Sequence, residues 1–257
     1  MITSIDLNSD LGESFGPWPM GADAELLQVV TSANVACGFH AGDPDVMART
    51  MALAVQNGVG IGAHPGLPDL QGFGRRRMQI GLDEARHLVA YQLGAAQAMA
   101  RMAGGQVRHL KLHGALGNMT SEDEALARAC YAGALAVDPE IILVAISGTA
   151  QERAAQDLGA RMACEIFADR AYAENGLLMD RRLPGAVIHD ADAVCARILA
   201  MLRAGAIITQ QGTHLPTQID TICLHGDTPS AVELARRLRA ALESEGVRIA
   251  RFDAGAR

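Results

Sequence analysis

Residues 108–118 read RHLKLHGALGN, and this stretch is the most informative about the fold. Two leucines alternate with Lys111 and His113, which is typical of a half-buried strand that carries both polar side chains on one face. Of the 22 lysines and arginines in the chain, only Lys111 is a lysine. Because a desolvated lysine can lose its proton and an arginine cannot, we expect Lys111 and His113 to face an active site. The alternative is a surface lysine beside a core histidine.

The rest of the chain alternates strand-like apolar segments with longer helical patterns. The strand-like segments are 2–7, 32–37, 59–63, 108–112, 141–145, 162–167, 220–224 and 247–250. Helical periodicity covers 22–31, 44–57, 83–103, 121–136, 149–158, 190–204 and 229–244. Repeated strand-then-helix units predict parallel strands with crossover helices. The expected fold class is therefore α/β, a TIM-like (β/α) barrel of seven or eight strands in one domain over 1–257, with an open doubly wound sheet as the alternative.

Local signals mark the starts of several helices. Ser121 and Glu124 have the spacing of a capping box. Pro44 and Pro229 each follow an acidic or hydroxyl residue and suit a first helical position.

Composition limits the classes of function. A formal charge of -7 argues against a nucleic-acid partner. Five cysteines without a CxxC spacing predict neither a disulfide framework nor a thiolate zinc site, and they indicate a reducing compartment. No apolar run approaches the roughly 18 residues of a membrane span, and the start has no basic signal-peptide region. We therefore expect a cytoplasmic protein that acts on a small molecule or binds other proteins.

Polar side chains follow six of the predicted strands. Because the carboxyl ends of parallel strands lie on one face of such a fold, we expect these side chains to form one site at that rim. They are Asn8, Asp10 and Glu13; His40 and Asp43; His64 and Asp69; Lys111 and His113; Glu165, Asp169 and Arg170; and His225 and Asp227. Asp43 and Asp227 each precede a helical pattern, and we interpret both as helix caps.

The first rim segment, 6–16, reads DLNSDLGESFG and holds three carboxylates. Clustered carboxylates push one another's pKa values apart, so one can act as a base while another stays protonated. The spacing does not match a calcium-binding loop. His40 and His64, in the next two segments, suit acid–base chemistry or substrate binding, and with Asp10 they would be the ligands if a metal is present. Cys37 is interpreted as strand-end packing rather than a nucleophile.

Arginines are concentrated in the loop 72–77, which reads GFGRRR. Their guanidinium groups suit a carboxylate or a phosphate, although a solvated loop or a subunit contact explains any one of them equally well. The sequence contains neither a phosphate-binding loop nor the glycine pattern of a dinucleotide site. The long polar segment 165–188 predicts a functional loop, in which Asp169 and Arg170 could pair.

Six motifs, in this order along the chain, closely resemble the LamB/YcsF family. They are DLNSDLGE, ANVACGFHAGDP, GAHPGLPD with GFGRR, KLHGAL, FADRAY with NGLL, and CLHGD. Together they extend over nearly the whole chain. The lysine motif of the family usually reads KPHGALYN, whereas this chain has Leu112 and Gly117 in place of the proline and the tyrosine.

The resemblance implies a barrel akin to those of glycoside hydrolases and polysaccharide deacetylases. It also implies ATP-dependent hydrolytic ring opening of 5-oxo-L-proline to L-glutamate, with ATP as co-substrate of the assembled enzyme and no bound organic cofactor. The implied partners are two carboxyltransferase-like 5-oxoprolinase subunits. A homo-oligomer and a divalent metal are left open.

These expectations define two groups of site residues. The catalytic group is Asp10, Glu13, His40, His64, Lys111 and His113. The substrate-binding group is Asn8, Asn34, Arg75, Arg76, Asn118, Glu165, Arg170 and His225. In this hypothesis Lys111 stabilises negative charge on oxygen or phosphate, Asp10 or Glu13 is the base for water, and the arginines hold the substrate carboxylate. The alternatives are a metal-dependent deacetylase or amidohydrolase, and a non-catalytic binding subunit.

Overall fold

The structure is a computed structural model, and it describes residues 2–225 and 231–252. The strands are β1 (Ser4–Leu11), β2 (Ser32–Ala36), β3 (Gly60–His64), β4 (Val107–Lys111), β5 (Ile142–Ile146), β6 (Met162–Phe167), β7 (Ala206–Ile208), β8 (His214–Pro216), β9 (Thr221–Leu224) and β10 (Arg248–Ile249). The helices are α1 (Asp23–Leu26), α2 (Pro44–Gln56), α3 (Leu82–Met102), α4 (Gly114–Glu122), α5 (Glu124–Val137), α6 (Ala150–Asp157), α7 (Ala191–Ala204) and α8 (Ala231–Ser244). None of the helices in these two ranges combines the length and the apolar character needed to cross a membrane.

Within the described residues, seven parallel strands close into a barrel. Their order is β1-β2-β3-β4-β5-β6-β9, and β9 pairs with β1 to close the ring. The short β10 pairs with the first residues of β1, while β7 and β8 form a separate antiparallel pair. The predicted TIM-like barrel is therefore confirmed, and the open-sheet alternative is wrong.

The barrel wall separates an apolar exterior from a polar interior. Ile5, Leu7 and Leu11 of β1 belong to the large apolar cluster that includes residues of the surrounding helices. Asn8 lies on the other face, because successive strand residues alternate sides, and its Nδ2 donates to Glu165 Oε1 across the barrel at 3.0 Å. Branched apolar side chains usually fill such barrels. The polar filling of this barrel therefore marks its interior as the place to look for chemistry.

The first strand is longer than the sequence predicts. It ends at Leu11 rather than at residue 7, so Asn8 and Asp10 lie in the barrel wall and not in the loop that follows it. Asn34 of β2 donates one hydrogen bond to each of them, to Asn8 Oδ1 at 2.7 Å and to Asp10 Oδ1 at 2.9 Å. Because these polar side chains find partners inside the ring, the strand can continue through a sequence of low strand propensity.

Five of the seven predicted helices are confirmed, with ends shifted by one or two residues in the described range. Pro44 begins α2, and the Asp43 carboxylate caps it by accepting from the N–H groups of Asp45 and Val46, as predicted. Asp227 and Pro229, the predicted cap and first residue of the last helix, lie outside the described residues.

Two helix predictions are wrong in detail. The pattern 22–31 forms only the four residues of α1. The pattern 121–136 belongs to two consecutive helices, α4 and α5. Asp123 caps α5 by accepting from the Leu126 N–H at 3.1 Å, whereas Ser121 lies inside α4, so the capping box with Glu124 does not form.

Candidate active site

Lys111 lies at the centre of the polar interior, at the end of β4. Its side chain is buried, and Nζ lies 2.9 Å from Glu165 Oε1 and 3.1 Å from Asp10 Oδ1. The same ammonium donates to Asn8 Oδ1 at 3.3 Å and to Cys223 Sγ at 2.9 Å. Side chains from three other strands therefore converge on one cation.

The charges around Lys111 keep it protonated. Burial alone would lower the pKa of Lys111, but Asp10, Cys223 and Glu165 outweigh this effect and raise the pKa well above its ordinary value. The sequence-based reason for a lysine at this position, that it can lose its proton, is therefore wrong. The site therefore contains a compact ammonium that is charged at neutral pH.

The two carboxyl groups beside Lys111 differ in their ionisation. Burial favours the neutral form of Asp10, but His64 and Lys111 outweigh it and hold the pKa of this carboxyl well below its usual range. Burial raises the pKa of Glu165 above its ordinary value, and the Lys111 charge offsets this only in part. Asp10 is thus the firm counter-ion of the ammonium, and Glu165 is the more readily protonated of the two.

Asn8 and Asn34, which we predicted to bind substrate, have their hydrogen-bonding capacity used inside the barrel. Asn8 Nδ2 donates to Glu165 Oε1 and to Thr221 Oγ1, the latter at 2.7 Å. Asn34 Oδ1 pairs with His109 Nε2 at 2.9 Å, beneath the site. Both asparagines are fully enclosed. They fix the positions of the charged groups above them and do not line the cavity described below.

Two histidines next to Asp10 form a hydrogen-bonded pair. His64 Nε2 lies 3.3 Å from Asp10 Oδ2, and its Nδ1–H donates to the Lys111 carbonyl oxygen at 2.8 Å. His113 Nδ1 lies 3.0 Å from His64 Nε2, and its Nε2–H donates to the Phe73 carbonyl oxygen at 2.8 Å. Backbone carbonyls therefore fix the orientation of both rings.

His40 and Glu13 complete a buried group beside this pair. The His40 ring stacks on His113 with centroids 3.6 Å apart and planes 7° apart. Glu13 Oε1 lies 3.8 Å from His40 Nε2 and 3.9 Å from His113 Nδ1. Burial lowers the pKa of both His40 and His113 well below its ordinary value, so both rings are neutral. Gly74, at φ +61°, makes this packing possible, because a Cβ there would lie 2.6 Å from His40 Cβ.

The metal ligands that the sequence suggested do not form one group. Ligand atoms of Glu13, His40, His64 and His113 all lie within 4.8 Å of one another. Asp10 instead falls into a second group of this kind, with Cys223 and His225. The predicted set of Asp10, His40 and His64 is therefore divided between two neighbouring clusters.

A cavity opens above Lys111 at the carboxyl ends of the strands. Asp10, His64, Lys111 and His113 line its base, and Asn118 of α4 lies at its exposed edge. The free volume is about 50 Å³, which holds only a few water molecules. A larger cavity of about 540 Å³ lies at the opposite end of the barrel, but none of the described residues that line it is a histidine, a cysteine or a lysine.

Three arginines line the cavity above Lys111, but Arg76 is not one of them. The lining arginines are Arg75, Arg170 and Arg181. Arg76 forms an ion pair with Asp69 and keeps 66% of its side chain exposed, so its predicted contact with substrate is not supported. Burial lowers the pKa of Arg170 to about 10, which still leaves the group charged at neutral pH.

His225 faces the cavity from the residue after β9. Its Nδ1–H donates to both oxygens of Asp169, at 2.8 and 2.9 Å, and its Nε2 accepts from Arg181 Nη2 at 2.8 Å. The predicted pairing of Asp169 with Arg170 is therefore wrong, because Arg170 donates to the Met179 carbonyl oxygen instead. The loop after β6 is tied to the end of β9 through this histidine.

Two cysteines near the site have different surroundings. Cys37 is buried with its pKa raised to about 12 by burial, which supports packing rather than nucleophilic chemistry. Cys223, which was not among the predicted site residues, lies against Lys111. Its position near the end of a predicted strand, two residues before His225, was the available signal, because residues i and i+2 of an extended chain share a face. All five cysteines are free thiols in the described part of the chain.

Both departures from the usual lysine motif lie together beside the cavity. Leu112 and Gly117 line it, and a Cβ built on Gly117 would lie 2.8 Å from the Leu112 carbonyl oxygen. A side chain at residue 117 would therefore require the backbone near Leu112 to shift, and with glycine the cavity wall has no side chain there.

Comparisons with known proteins agree with this geometry. The LamB/YcsF family model matches residues 5–257. The chain is 64% identical over 252 residues to the A subunit of the 5-oxoprolinase from Ruegeria pomeroyi, and the match covers 98% of this chain and 100% of that protein. The crystal structure of the lactam utilization protein from Thermus thermophilus is similar with a TM-score of 0.91 and 41% identity, covering 97% of this chain and 100% of that one.

A more distant structure shows the fold alone. The catalytic domain of a peptidoglycan N-acetylglucosamine deacetylase from Eubacterium rectale has a TM-score of 0.51 at 10% identity, covering 98% of this chain and 90% of that one. The expected likeness to deacetylase barrels is therefore confirmed. The full-length family match and the high identity of the relative, together with the ordered motifs around Lys111, show that the chain belongs to the LamB/YcsF family.

Proposed function

We propose that this chain is the ring-opening subunit of a 5-oxoprolinase, which hydrolyses 5-oxo-L-proline to L-glutamate at the expense of ATP. The family and the name of the R. pomeroyi relative support the reaction. The observation that carries the proposal is a buried ammonium at the base of a cavity whose walls hold three arginines. An ammonium at the base of the cavity and guanidinium groups in its walls suit a small anionic substrate that develops further negative charge during the reaction.

The cavity arginines are the groups we assign to the substrate carboxylate. Planar guanidinium groups bind carboxylates through paired hydrogen bonds. Arg75 and Arg170 line the cavity, whereas Arg76 is held by Asp69 outside it. Because the cavity is small as it stands, entry of substrate requires side chains at its edge, such as Asn118 and Arg181, to move aside.

Activation of the lactam is assigned to the partner subunits. A five-membered lactam is a stable amide, so its hydrolysis at neutral pH needs help. Phosphorylation of the amide oxygen by ATP makes the ring carbon electrophilic. Since the sequence has no phosphate-binding loop, two carboxyltransferase-like partner subunits supply this step in our proposal. The R. pomeroyi relative is named as one subunit of its enzyme, which supports a multi-subunit assembly.

Ring opening is the step assigned to this chain. A water molecule attacks the ring carbon and gives one proton to Asp10, while the C=N electron pair of the phosphorylated lactam moves to the ring nitrogen and Lys111 stabilises the negative charge of the phosphate. Asp10 passes that proton to the nitrogen and then accepts the proton of the new hydroxyl group. The C–N bond breaks as the carbonyl forms and the nitrogen takes this second proton from Asp10, which leaves an acyl phosphate and a free amine. A second water hydrolyses this acyl phosphate to phosphate and L-glutamate. The low pKa of Asp10 makes it a weak base for an already activated carbon and a good acid for the leaving nitrogen.

The proposed roles of the histidines are to orient the reacting groups. His64 lies against Asp10 Oδ2 and His113 supports His64, so the pair fixes which oxygen of Asp10 faces the water. Glu13 does not line the cavity, and we therefore prefer Asp10 over Glu13 as the base.

The decisive assay measures glutamate release from 5-oxoproline. The purified chain is tested alone and with its two partner subunits, with and without ATP. We expect release only in the complete, ATP-containing mixture. Full release by the partner subunits without this chain would contradict the proposal.

The histidine cluster favours a second candidate, a metal-dependent amidohydrolase or deacetylase. Such an enzyme would release product without ATP and would lose activity when a chelator is added. The same assay therefore separates the two candidates, because only one of them requires ATP.

A further inference from the structure

His64 and His113 face each other through His64 Nε2 and His113 Nδ1, which lie 3.0 Å apart. The Nδ1 of His64 and the Nε2 of His113 each lie 2.8 Å from a backbone carbonyl oxygen, which can only accept, so these outer nitrogens carry protons. The two inner nitrogens can therefore share an electrophile, either a proton or a metal ion.

The surroundings supply further ligands for that electrophile. Glu13 Oε1 lies 3.9 Å from His113 Nδ1 and 3.8 Å from His40 Nε2. His40 is 1% exposed, and neither of its ring nitrogens has a hydrogen-bond partner in residues 2–225 and 231–252. A buried imidazole with both nitrogens unsatisfied is costly unless a ligand completes it.

We propose that Glu13, His40, His64 and His113 bind one divalent transition-metal ion, of the class of Zn²⁺ or Co²⁺. Nitrogen and carboxylate donors suit these ions, and ligand atoms of a tetrahedral zinc site lie about 3.3 Å apart. Three of the separations are 3.0, 3.8 and 3.9 Å, and all four ligand atoms lie within 4.8 Å of one another. Backbone carbonyls hold the outer nitrogens of His64 and His113, and such contacts are a usual support of metal-bound imidazoles.

His40 has to turn before it can bind the same ion as His113. The two rings are stacked with planes only 7° apart, and one ion cannot lie in two parallel ring planes. His64, His113 and Glu13 therefore form the initial set, and His40 becomes the fourth ligand when its ring rotates out of the stack. The ring of His64 already stands at 87° to that of His113, which suits a shared ion.

The neighbouring group of Asp10, Cys223 and His225 is less suitable as a metal site than the group of Glu13 and the three histidines. Cys223 Sγ and Asp10 Oδ1 lie 2.9 and 3.1 Å from the Lys111 ammonium, so a metal ion there would face a like charge. In the proposed site the Asp10 carboxylate stands between the ammonium and His64, and it screens one cation from the other.

Metal binding by the purified full chain tests the proposal without reference to any catalytic activity. After removal of metal with a chelator, we expect one Co²⁺ per chain by equilibrium dialysis and elemental analysis, with a visible spectrum that lacks a thiolate band. His64→Gln and His113→Gln should each weaken binding more than about 100-fold, which exceeds the loss typical of an outer-shell change. His214→Gln, at an exposed position of β8, is the matched control and should bind like the unmodified chain.

Several results would overturn the proposal. They are the absence of stoichiometric Co²⁺ or Zn²⁺ binding, unchanged affinity in both histidine variants, and a thiolate band that disappears in Cys223→Ala. If the histidine variants do not fold, X-ray absorption of the zinc-loaded unmodified chain decides the question. We expect nitrogen and oxygen neighbours with several imidazoles, and a sulfur neighbour would contradict the site. Failure here leaves the proposed ring-opening reaction unaffected.

Discussion

Lys111 lies between two buried carboxyl groups, and this position determines what a single substitution there will do. Removing the ammonium takes away the charge that the reaction uses, and it also leaves Asp10 and Glu165 without their counter-ion. Such a loss in a buried site destabilises a fold by about 3–5 kcal/mol. Stability and activity therefore have to be measured separately at this residue.

Lys111→Met should lower the rate of glutamate release in the assembled enzyme by at least about 100- to 1000-fold, the usual effect of losing an electrostatic stabiliser. Lys111→Arg keeps the charge, but a planar guanidinium cannot occupy the position of the compact ammonium between Asp10, Glu165 and Cys223. We expect at least about tenfold loss for it. Steady-state kinetics with purified variants measures both effects.

Folding controls accompany these lysine variants. Lys111→Met combined with Glu165→Gln removes one of the uncompensated carboxylates and should regain part of the lost thermal stability without regaining activity. Full activity in Lys111→Met would support a non-catalytic binding subunit. Full activity in Lys111→Arg would show that charge alone matters and not its position.

Arg75 and Arg76 are adjacent residues that the structure places in different surroundings, which makes them a matched pair. Arg75 lines the cavity, whereas Arg76 is largely exposed and pairs with the buried Asp69 outside the cavity. Arg75→Ala should raise KM for 5-oxoproline by about 10- to 100-fold with a smaller effect on kcat, since a charged hydrogen bond contributes about 1.5–3 kcal/mol. Arg76→Ala should change KM less than about twofold. A larger effect from Arg76 than from Arg75 would refute the assignment.

At the scale of elements, the strands were predicted better than the short connecting helices. Each of the seven barrel strands was expected within a few residues, because apolar runs between long helical patterns are strong signals. The helix α4 was missed because it begins at Gly114 and contains Gly117, and glycine disfavours helices. The pair β7–β8 was missed because each strand has three residues and β8 is partly exposed.

The junction of α4 and α5 gives a test at this scale. Asp123→Ala removes the side chain that accepts from the Leu126 N–H at the start of α5, and it should cost about 1 kcal/mol of unfolding free energy. Ser121→Ala removes only a hydroxyl that donates back to the Gly117 carbonyl oxygen within α4, and it should cost less than about 0.5 kcal/mol. Urea unfolding of the two variants measures the difference. The reverse order would restore Ser121 as the cap.

For the whole molecule, the decisive feature is a closed ring of strands with charged groups inside. Asp6 lies in this interior and accepts hydrogen bonds from Thr31, Ser32 and Thr221. Burial outweighs these bonds and raises the pKa of Asp6 from 3.8 to about 6. The folded state therefore binds a proton more tightly than the unfolded chain does.

This shift predicts that the contribution of Asp6 to stability falls as the pH rises. The contribution of Asp6 is fully present below its unfolded pKa of 3.8 and is lost as the pH rises through about 6. It amounts to at most about 3 kcal/mol, since one pKa unit corresponds to about 1.4 kcal/mol. His40 and His113, whose pKa values burial lowers, contribute to the pH dependence in the opposite sense, so the effect of Asp6 is measured as a difference. In urea unfolding between pH 4 and pH 8, the stability of Asp6→Asn relative to the unmodified chain should rise with pH. The exposed control Glu140→Gln should keep the pH dependence of the unmodified chain, and the same pH dependence in Asp6→Asn would contradict the assignment.

The sequence by itself determined the class of fold and most of the residues that meet at the site. Alternation between strand and helix patterns specified parallel strands, and parallel strands bring their carboxyl ends to one face, so Lys111, His113, His64 and Asp10 could be placed together from the pattern alone. That residues 1–257 form a single domain remains a prediction from length and pattern.

Tertiary structure alone decided the charge states and the partners of these residues. Lys111 stays protonated because closure of the ring brings carboxylates from β1 and β6 close to its ammonium. The distance between the ammonium and these carboxylates cannot be derived from the sequence. For the same reason Arg76 was expected in the site but pairs with Asp69, and Asp169 was expected to pair with its neighbour but binds His225. Periodicity indicates which face a side chain occupies, whereas pKa values and ion pairs depend on separations of a few ångströms that only packing sets.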